Sequence, residues 1–419
     1  MNYKILKVFD INYPQIIINF EKKKNFSNLD YYSHLNKFLN GYYIETPGFS
    51  KKMNLLGNSS NDIVYNYYNL QIKWLNENGF NLKDNLNHEE KLFYIFEKQI
   101  SYFKPEIIFF RGQPTFDSRK LSDLKEKFKF IKKVICHNGF PSKNLKNVDL
   151  IFSSSPGLNQ LYQHEGLRSI LLYHSFDEEI LSRVTNKNQI VDLAFFGQTG
   201  DTESIAYKRR FDYLNSLLSD KFPINCHSTE FYKKSNYILN KNFKEIFRNY
   251  LIKFFDGRIP SNFKNLDSIK NVKIKNFIKD LKSYTNRKKY LHDLWPKKIY
   301  KPLYGIDMYN ELFNSNLTLN IHTDVSNTFC GNYRMFEATG LKSCLITENR
   351  QNIKDLFEPD FEVVTYKSLD ELKDKLKNLL SDKKLSKKIS LEGQRKTLKH
   401  HTLNKRIEFI DGEINKIFK

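Results

Sequence analysis

The sequence predicts an α/β protein built on doubly wound parallel sheets. Three observations carry this prediction. Short apolar runs alternate with helical segments along both halves of the 419-residue chain. A second set of such runs begins at Val191, after a linker over 175–189. Hydrophobic residues make up 40% and aromatic residues 15% of the chain, which is enough for two buried cores.

The first half contains four short runs rich in β-branched and aromatic residues. Runs of this kind are typical of strands that are buried on both faces of a parallel sheet. Helical segments are predicted between them, over 116–130 and 157–165. The predicted strands are 107–110, 133–136, 150–152 and 170–173.

The second half repeats the alternation. Strands are predicted at 191–197, 317–322 and 343–347, and helices begin near Gly305 and at 331–340. Three further helical segments follow, at 369–380, near 389–393 and at 404–418. The sequence therefore predicts two parallel sheets of the same kind, one in each half of the chain.

The segment 331–340 carries the strongest functional signal. Gly331 and Asn332 predict a helix start, and a glycine predicts the helix end before a buried strand. Between them, Arg334 and Glu337 lie three residues apart. A helix N-terminus and an arginine suit a diphosphate, and a carboxylate suits ribose hydroxyls. The alternative is an ordinary amphipathic helix with an i,i+3 ion pair.

The signals around this segment occur in a recognisable order. After the strand come the segment 356–366, a helix over 369–380, and a closing His400-His401-Thr402 with Arg406. This order resembles the C-terminal domain of group 1 glycosyltransferases, most closely the branch named for the spore-maturation protein CgeB. The resemblance extends upstream to 305–309, 317–322, 191–197 with Arg209 and Arg210, Phe49-Ser50, Met53, Gly57, Asn66, Leu70-Gln71 and Trp74.

The resemblance implies the GT-B architecture, in which two Rossmann-like domains face a cleft. We expect an acceptor-side domain at 1–185 and a nucleotide-sugar-binding domain at 186–403. A C-terminal helix at 404–419 would cross back to the first domain. Residues of about 225–300 depart from the family pattern, and we interpret them as a lysine-rich helical insertion.

The resemblance also implies the donor site. Many group 1 enzymes carry an E-x7-E pair, whose second glutamate binds the ribose and whose first contacts the donor sugar. Glu337 takes the second position, whereas Phe329 stands at the first. Arg334 is expected to act in catalysis by stabilising the leaving diphosphate. The other residues predicted to bind the donor nucleotide are Gly331, Asn332, Gly197, Arg209, Arg210, Gly305 and Met308.

The first domain is expected to hold the acceptor. His137 and Asn138 follow a predicted strand, at the sheet edge where doubly wound proteins place their ligands. His137 is the candidate general base toward an acceptor hydroxyl, or a group that orients the sugar. Arg111 follows the neighbouring strand and is a second acceptor-side candidate. Of the family's W-x-x-D-x-P segment, only Pro141 is present here.

We predict a metal-independent reaction without a cofactor. No Asp-x-Asp triplet occurs in the chain, so the usual metal-binding signature of the other large transferase fold is missing. The four cysteines are scattered without a C-x-x-C pair, which argues against a metal knuckle or a disulfide scaffold.

The positive net charge of the chain suggests anionic partners. The chain carries a formal net charge of +21, and residues 231–300 hold 18 Lys/Arg against 5 Asp/Glu, a net of 18 − 5 = +13. One interpretation is that this segment contacts an anionic membrane surface or the acceptor, and the other is a solvated face. No apolar run suggests a signal peptide or a membrane span, so we expect a cytoplasmic protein, peripheral at most at the inner face of the membrane.

The resemblance thus implies a glycosyltransferase enzyme that retains the anomeric configuration; for an inverting reaction, His137 is the first candidate for the base. The enzyme would move a sugar from a nucleotide-sugar donor to a saccharide, a lipid-linked glycan or a surface-polymer precursor. Nucleic acid is not an expected partner. Two other classes stay open: a nucleotide-sugar epimerase of the same architecture, and a basic protein that binds nucleic acid or an anionic membrane.

Overall fold

The computed structural model describes residues 2–418 except for 24–25, 27, 43–47, 84, 143–144, 187–190, 235–289 and 324–327. In this part of the chain the strands form two six-stranded parallel sheets, which confirms the predicted α/β class. The strands β1 to β12 are Lys4–Phe9, Ser59–Val64, Ile107–Arg111, Lys133–Asn138, Leu150–Ser153, Ser169–Leu171, Val191–Phe196, Ile224–His227, Ile299–Tyr300, Ser315–Asn320, Cys344–Glu348 and Val364–Tyr366.

The helices are named in the same way, over the same described residues. The helices α1 to α15 are Pro14–Lys23, Tyr31–Tyr42, Gly48–Leu55, Tyr68–Glu77, His88–Phe103, Ser118–Lys127, Pro156–His164, Lys208–Ser219, Leu291–Leu294, Gly305–Phe313, Tyr333–Gly340, Ile353–Leu356, Leu369–Ser381, Lys383–His400 and Leu403–Phe418. Two 3₁₀ helices lie at Glu178–Ser182 and Thr229–Lys234.

Several helix starts follow directly from local sequence. The Asn87 side chain accepts from the backbone N–H of Glu90, and the Glu90 carboxylate accepts from the backbone N–H of Asn87, so α5 begins with a capping box. Ser155 caps α7, whose first residue is Pro156. Ser368 caps α13 in the same way.

Both sheets have doubly wound strand orders. The first runs β2-β1-β3-β4-β5-β6 and the second runs β12-β11-β10-β7-β8-β9. In the first sheet, Arg111 at the end of β3 lies in register with His137 on β4. Strand β6 ends at Leu171, two residues before the predicted end, because its partner β5 ends at Ser153. Tyr173 and the residues after it are thereby released into a loop at the sheet's carboxyl edge.

One face of the first sheet is covered by α3 and α15. Ile407, Ile410 and Ile414 of α15 are buried against Ile5 of β1 and Phe109 of β3. Burial of this apolar stripe is the main force that holds the last helix on the sheet. The opposite face is covered by α5, α6 and α7.

All four cysteines are buried free thiols. Burial raises the pKa of Cys136 to about 12, and it raises the pKa values of Cys330 and Cys344 to about 12 as well. Since the thiolate is the reactive form, these side chains stay protonated and inert at neutral pH.

The chain forms two compact units. The first is drawn from 1–191, 304–320 and 328–419, and the second from 192–303 and 321–327. The domain boundaries predicted from the sequence stay a prediction. Most of the predicted lysine-rich insertion falls at 235–289, outside the described residues. None of the helices in the described ranges combines the length and the apolar character needed to cross a membrane.

Candidate functional site

A pocket in the first unit is bordered by the carboxyl ends of the first sheet's strands and by α11. It encloses about 770 Å³ of empty space, part of it open to solvent. Parallel sheets place ligands at this edge, so the pocket is the candidate site. Its polar lining includes Arg111, His137, His174, Tyr333, Glu337 and Arg406. Its apolar lining includes Phe49, Phe109, Ile180, Ile407 and Ile410.

The loop before α11 follows a path that only glycine suits. Gly331 has a φ of +141°, and a Cβ there would lie 2.9 Å from Cδ1 of Tyr173. Asn352 holds the preceding residue, because its Oδ1 accepts from the Cys330 backbone N–H at 2.8 Å. The Nδ2 of Asn352 donates to the Tyr173 hydroxyl at 2.9 Å. The loop is thus anchored to the pocket wall before the helix begins.

The start of α11 has no side-chain cap. The Asn332 side chain exchanges two hydrogen bonds with Asn320, of 3.1 and 2.8 Å, instead of capping the helix. Asn320 in turn donates to the hydroxyl of Thr347 at 3.0 Å. The first turn of a helix carries backbone N–H groups without intrahelical partners, so this end is suited to an anion.

Arg334 and Glu337 form the ion pair that their spacing predicts. Nη1 of Arg334 lies 2.7 Å from Oε2 of Glu337, and the Glu337 residue is only 3% exposed. The same Nη1 lies 3.2 Å from Sδ of Met308. The Tyr309 hydroxyl donates to Oε1 of Glu337 at 3.5 Å. These contacts from α10 and α11 hold the carboxylate in one orientation at the pocket wall.

His137 is oriented by the main chain. Its Nε2 lies 3.0 Å from the carbonyl oxygen of Leu172. Because a carbonyl only accepts, Nε2 carries the proton, and Nδ1 is the nitrogen that can act as a base. The ring also lies 5.2 Å from the ring of His174.

An aromatic stack connects the sheet edge with α11. The rings of His174 and Tyr333 are parallel, with centroids 3.5 Å apart. The guanidinium of Arg111 lies 5.7 Å from the centroid of the same Tyr333 ring. A stacked surface beside cationic groups can hold a planar or sugar ring of a ligand.

Arg406 was quoted in the closing motif but received no role from the sequence. Its Nε donates to the Tyr173 carbonyl at 3.0 Å, and its Nη2 donates to Nδ1 of His401 at 3.0 Å. Nε2 of His401 donates to the Leu356 carbonyl at 2.9 Å. The motif therefore positions a half-buried arginine at the pocket. In the sequence, the only signal for this placement was the spacing of Arg406 from His400 and His401.

His401 should make the fold sensitive to mild acid. Burial, with a smaller effect of Arg406, lowers the pKa of His401 from 6.5 to about 4. Between pH 6.5 and 4, His401 is therefore protonated in the unfolded chain but not in the folded chain. Because the unfolded state binds the extra proton, the free energy of unfolding falls as the pH drops through that window. We expect a loss of about 3 kcal/mol in the free energy of unfolding from this group.

Denaturant unfolding of His401→Gln at several pH values measures this effect. The variant should lose less stability than the parent protein between pH 6.5 and 4. His164→Gln, at an exposed position, is the control and should keep the parent's pH dependence. Equal slopes for His401→Gln and the parent would contradict the prediction.

The predicted site residues fall into three groups in the structure. His137, Arg111 and Glu337 line the pocket, and Gly331, Asn332 and Arg334 belong to its loop and helix. Gly305 and Met308 are buried in α10, and Gly305 has a φ of +53°. The remaining four residues are Asn138, Gly197, Arg209 and Arg210.

Asn138 faces its own loop. Its Nδ2 donates to the Phe140 carbonyl at 2.8 Å and to the Tyr162 hydroxyl at 2.9 Å. Gly197, Arg209 and Arg210 belong to the second unit. There, Arg210 donates from Nε to the Ile321 carbonyl at 2.7 Å and from Nη1 to the Gln198 carbonyl at 3.2 Å. These bonds fix Arg210 beside the turn that contains Gly197.

Part of the chain matches a known protein family. Residues 271–412 match the family model described as "Glycosyl transferase-like", and this segment contains Arg334, Glu337 and Arg406. A search of the curated proteins finds no match to the chain. The CgeB-like branch stays a prediction.

Solved structures show the same fold over whole chains. A glycosyltransferase from Rickettsia africae ESF-5 is 12% identical, with a TM-score of 0.54, covering 100% of this chain and 99% of that one. Sucrose-phosphate synthase from Thermosynechococcus elongatus is 8% identical, with a TM-score of 0.53 and 99% coverage of both chains. Anabaena HepE in complex with UDP-glucose is 10% identical, with a TM-score of 0.53, covering 99% and 100%.

These likenesses establish a GT-B type of fold. The match of residues 271–412 to the family model supports a glycosyltransferase enzyme.

Proposed function

We propose that this chain transfers a sugar from a nucleotide-sugar donor to a glycan, a lipid-linked glycan or a surface-polymer precursor. One observation carries the proposal. The helix α11 brings an N-terminus without a side-chain cap and the oriented carboxylate of Glu337 to the same pocket wall, with His137 on the lining of that pocket. A nucleotide sugar needs an anion site, a ribose site and a group near its sugar, and in this proposal the start of α11, Glu337 and His137 take these three roles.

In this proposal Glu337 binds the ribose. An ionised carboxylate accepts hydrogen bonds from two neighbouring hydroxyls, and such charge-assisted bonds are strong. Arg334 holds the Oε2 side of the carboxylate at 2.7 Å, and Tyr309 approaches its Oε1 side. Arg334 therefore positions Glu337, besides adding positive charge near the start of α11.

The diphosphate is proposed to bind at the start of α11. As the bond between the sugar and the diphosphate breaks, negative charge grows on the leaving group. Backbone N–H groups of the first turn and the adjacent Arg334 can stabilise that charge without a metal ion. Gly331 allows the backbone to approach the phosphates, because no Cβ covers it. Metal independence is part of the proposal.

His137 is proposed to act at the sugar or at the acceptor. Its Nε2 proton is held by the Leu172 carbonyl, so Nδ1 is the atom that can accept a hydrogen bond or a proton. Retention of configuration is proposed from the resemblance to group 1 enzymes. If the reaction inverts, Nδ1 of His137 is the first candidate for the base.

A thermal-shift screen with EDTA present tests the proposed function. UDP is the first nucleotide to test, because the HepE structures are complexes with UDP and glucose and with UDP-glucose, and GDP, ADP, TDP and CMP complete the set. A nucleotide at ~100 times its dissociation constant should add about 2.7 kcal/mol of apparent stability. If no nucleotide stabilises the protein while DNA or anionic vesicles do, the proposed function is wrong.

A further inference from the structure

The lining of the pocket carries more basic than acidic side chains. Its lining contains three cationic side chains, Lys7, Arg111 and Arg406, and two carboxylates, Asp177 and Glu337. Each carboxylate has a basic neighbour behind the lining. Nη1 of Arg334 lies 2.7 Å from Glu337, and Nζ of Lys52 lies 3.8 Å from Asp177. Lys52 is shared, because it also lies 3.5 Å from Glu178 and 3.9 Å from Glu179. Lys7 has its own partner in Asp62, at 3.6 Å.

In the part of the chain that the structure describes, the hydrogen-bond partners of Arg406 are all neutral groups. This arginine donates to the carbonyl oxygens of Tyr173 and His400 and to Nδ1 of His401. Within the described residues, no carboxylate lies within ion-pair distance of this guanidinium. Half-burial without a counter-ion is costly, and burial lowers the pKa of Arg406 to about 10. A ligand anion would remove that cost.

Arg111 also lines this pocket, at the carboxyl end of β3 in the first sheet. It ends β3 in register with His137, and its guanidinium lies against the Tyr333 ring. Neither Arg111 nor Arg406 belongs to α10 or α11, the elements assigned above to the nucleotide. Arg111 ends a strand of the first sheet and Arg406 lies on α15, which packs on that sheet, so we assign both to the acceptor side of the pocket, beside the Tyr333 end of α11.

We propose that Arg111 and Arg406 bind an oxyanion, a phosphate or a carboxylate, carried by the acceptor. This inference rests on the proposed function, and it narrows the acceptor to an acidic or phosphorylated saccharide. Guanidinium groups suit both anions, since their planar donors match two oxygens at once. Phe109 and Ile407 line the same pocket and lower the effective dielectric there, which strengthens the attraction.

The test is calorimetric titration of the UDP-saturated protein with glucose 6-phosphate, glucuronate and neutral glucose. The first two ligands distinguish phosphate from carboxylate, and glucose is the matched neutral sugar. At least one anionic sugar should bind at least about tenfold more tightly than glucose. Arg406→Gln and Arg111→Gln should each remove most of that preference. Arg395→Gln removes an exposed arginine of α14 and should change nothing.

Three outcomes would overturn the inference. The first is anionic sugars that bind no better than glucose. The second is binding that neither Arg406→Gln nor Arg111→Gln weakens. The third is a loss of UDP affinity in both variants equal to the loss for the anionic sugar, because the oxyanion site would then belong to the donor. If Arg406→Gln fails to fold, Arg406→Lys and Arg111→Gln carry the test.

A separate experiment tests the proposed function, so that its failure can be told apart from failure of the oxyanion site. Titration with UDP and the other nucleotides is done first, on the ligand-free protein. Anionic-sugar binding that needs Arg406, in a protein that binds no nucleotide, would contradict the proposed donor and leave the oxyanion site in place.

Discussion

Glu337→Gln is expected to weaken UDP binding about 30- to 100-fold, or about 2–3 kcal/mol. The substitution keeps the size of the side chain but removes the charge that would hold the ribose hydroxyls. It also leaves the Arg334 guanidinium beside an uncharged amide at a residue that is only 3% exposed. Calorimetric titration with UDP in EDTA measures the change in affinity.

The same variant should also lose stability. Removing one partner of a buried ion pair leaves the other charge uncompensated, so we expect a loss of roughly 1–3 kcal/mol in unfolding free energy. Glu392→Gln is the matched control, because Glu392 and Arg395 form an i,i+3 pair at 2.5 Å whose arginine is exposed and whose glutamate is partly exposed. Exposed pairs contribute about 0–1 kcal/mol, and this control should bind UDP as the parent does.

An unchanged UDP affinity in Glu337→Gln would show that the carboxylate is structural. The pair with Arg334 would then be an ordinary helix ion pair, the alternative that the sequence left open. A loss of stability without a loss of affinity leads to the same conclusion. Only the combination of weaker UDP binding and an unaffected Glu392→Gln supports the ribose role.

Gly340→Ala is expected to cost roughly 3 kcal/mol of unfolding free energy, by overpacking. A Cβ at this position would lie 2.4 Å from Cγ of Phe176, and Phe176 is 1% exposed. The ring cannot move aside easily, because the Phe176 backbone is bonded to residues at the start of α15: its N–H donates to the His401 carbonyl, and its carbonyl accepts from Leu403. Denaturant unfolding measures the loss.

Gly412→Ala is the control for Gly340→Ala. Gly412 lies in α15, and a Cβ there would meet nothing within 4 Å. Alanine favours the helix and restricts the unfolded chain, so this variant should gain about 0.5–1 kcal/mol. The two substitutions are chemically identical and should change stability in opposite directions. A loss of less than about 0.5 kcal/mol in Gly340→Ala would contradict the packing argument.

The strands at 107–110, 133–136 and 150–152 were predictable because uninterrupted apolar runs dictate burial on both faces. Strand β1 escaped prediction because Lys4 and Lys7 interrupt its apolar run. Lys7 is nevertheless 4% exposed, and its charge is balanced by Asp62 on β2. A buried lysine can be recognised only when its distant partner is known.

The helix at 331–340 was predictable in the same local sense. Its glycine and asparagine start, its i,i+3 pair and its glycine stop all act over a few residues, and the structure has the helix at Tyr333–Gly340. The reason for the final glycine was not predictable. Gly340 is required by Phe176, which lies far away in the chain and touches it only in the folded protein.

Sequence by itself determined the fold class, most of the sheet strands and the helix that carries Arg334 and Glu337, because periodicity and capping are short-range properties. Tertiary structure alone decided which cations share the pocket. Arg406 reaches the Tyr173 carbonyl across 233 residues of chain, and His174 stacks on Tyr333 from another strand end. Such pairings depend on how the chain returns to the sheet edge, since the burial of the α15 stripe places Arg406 there and no local pattern encodes that path.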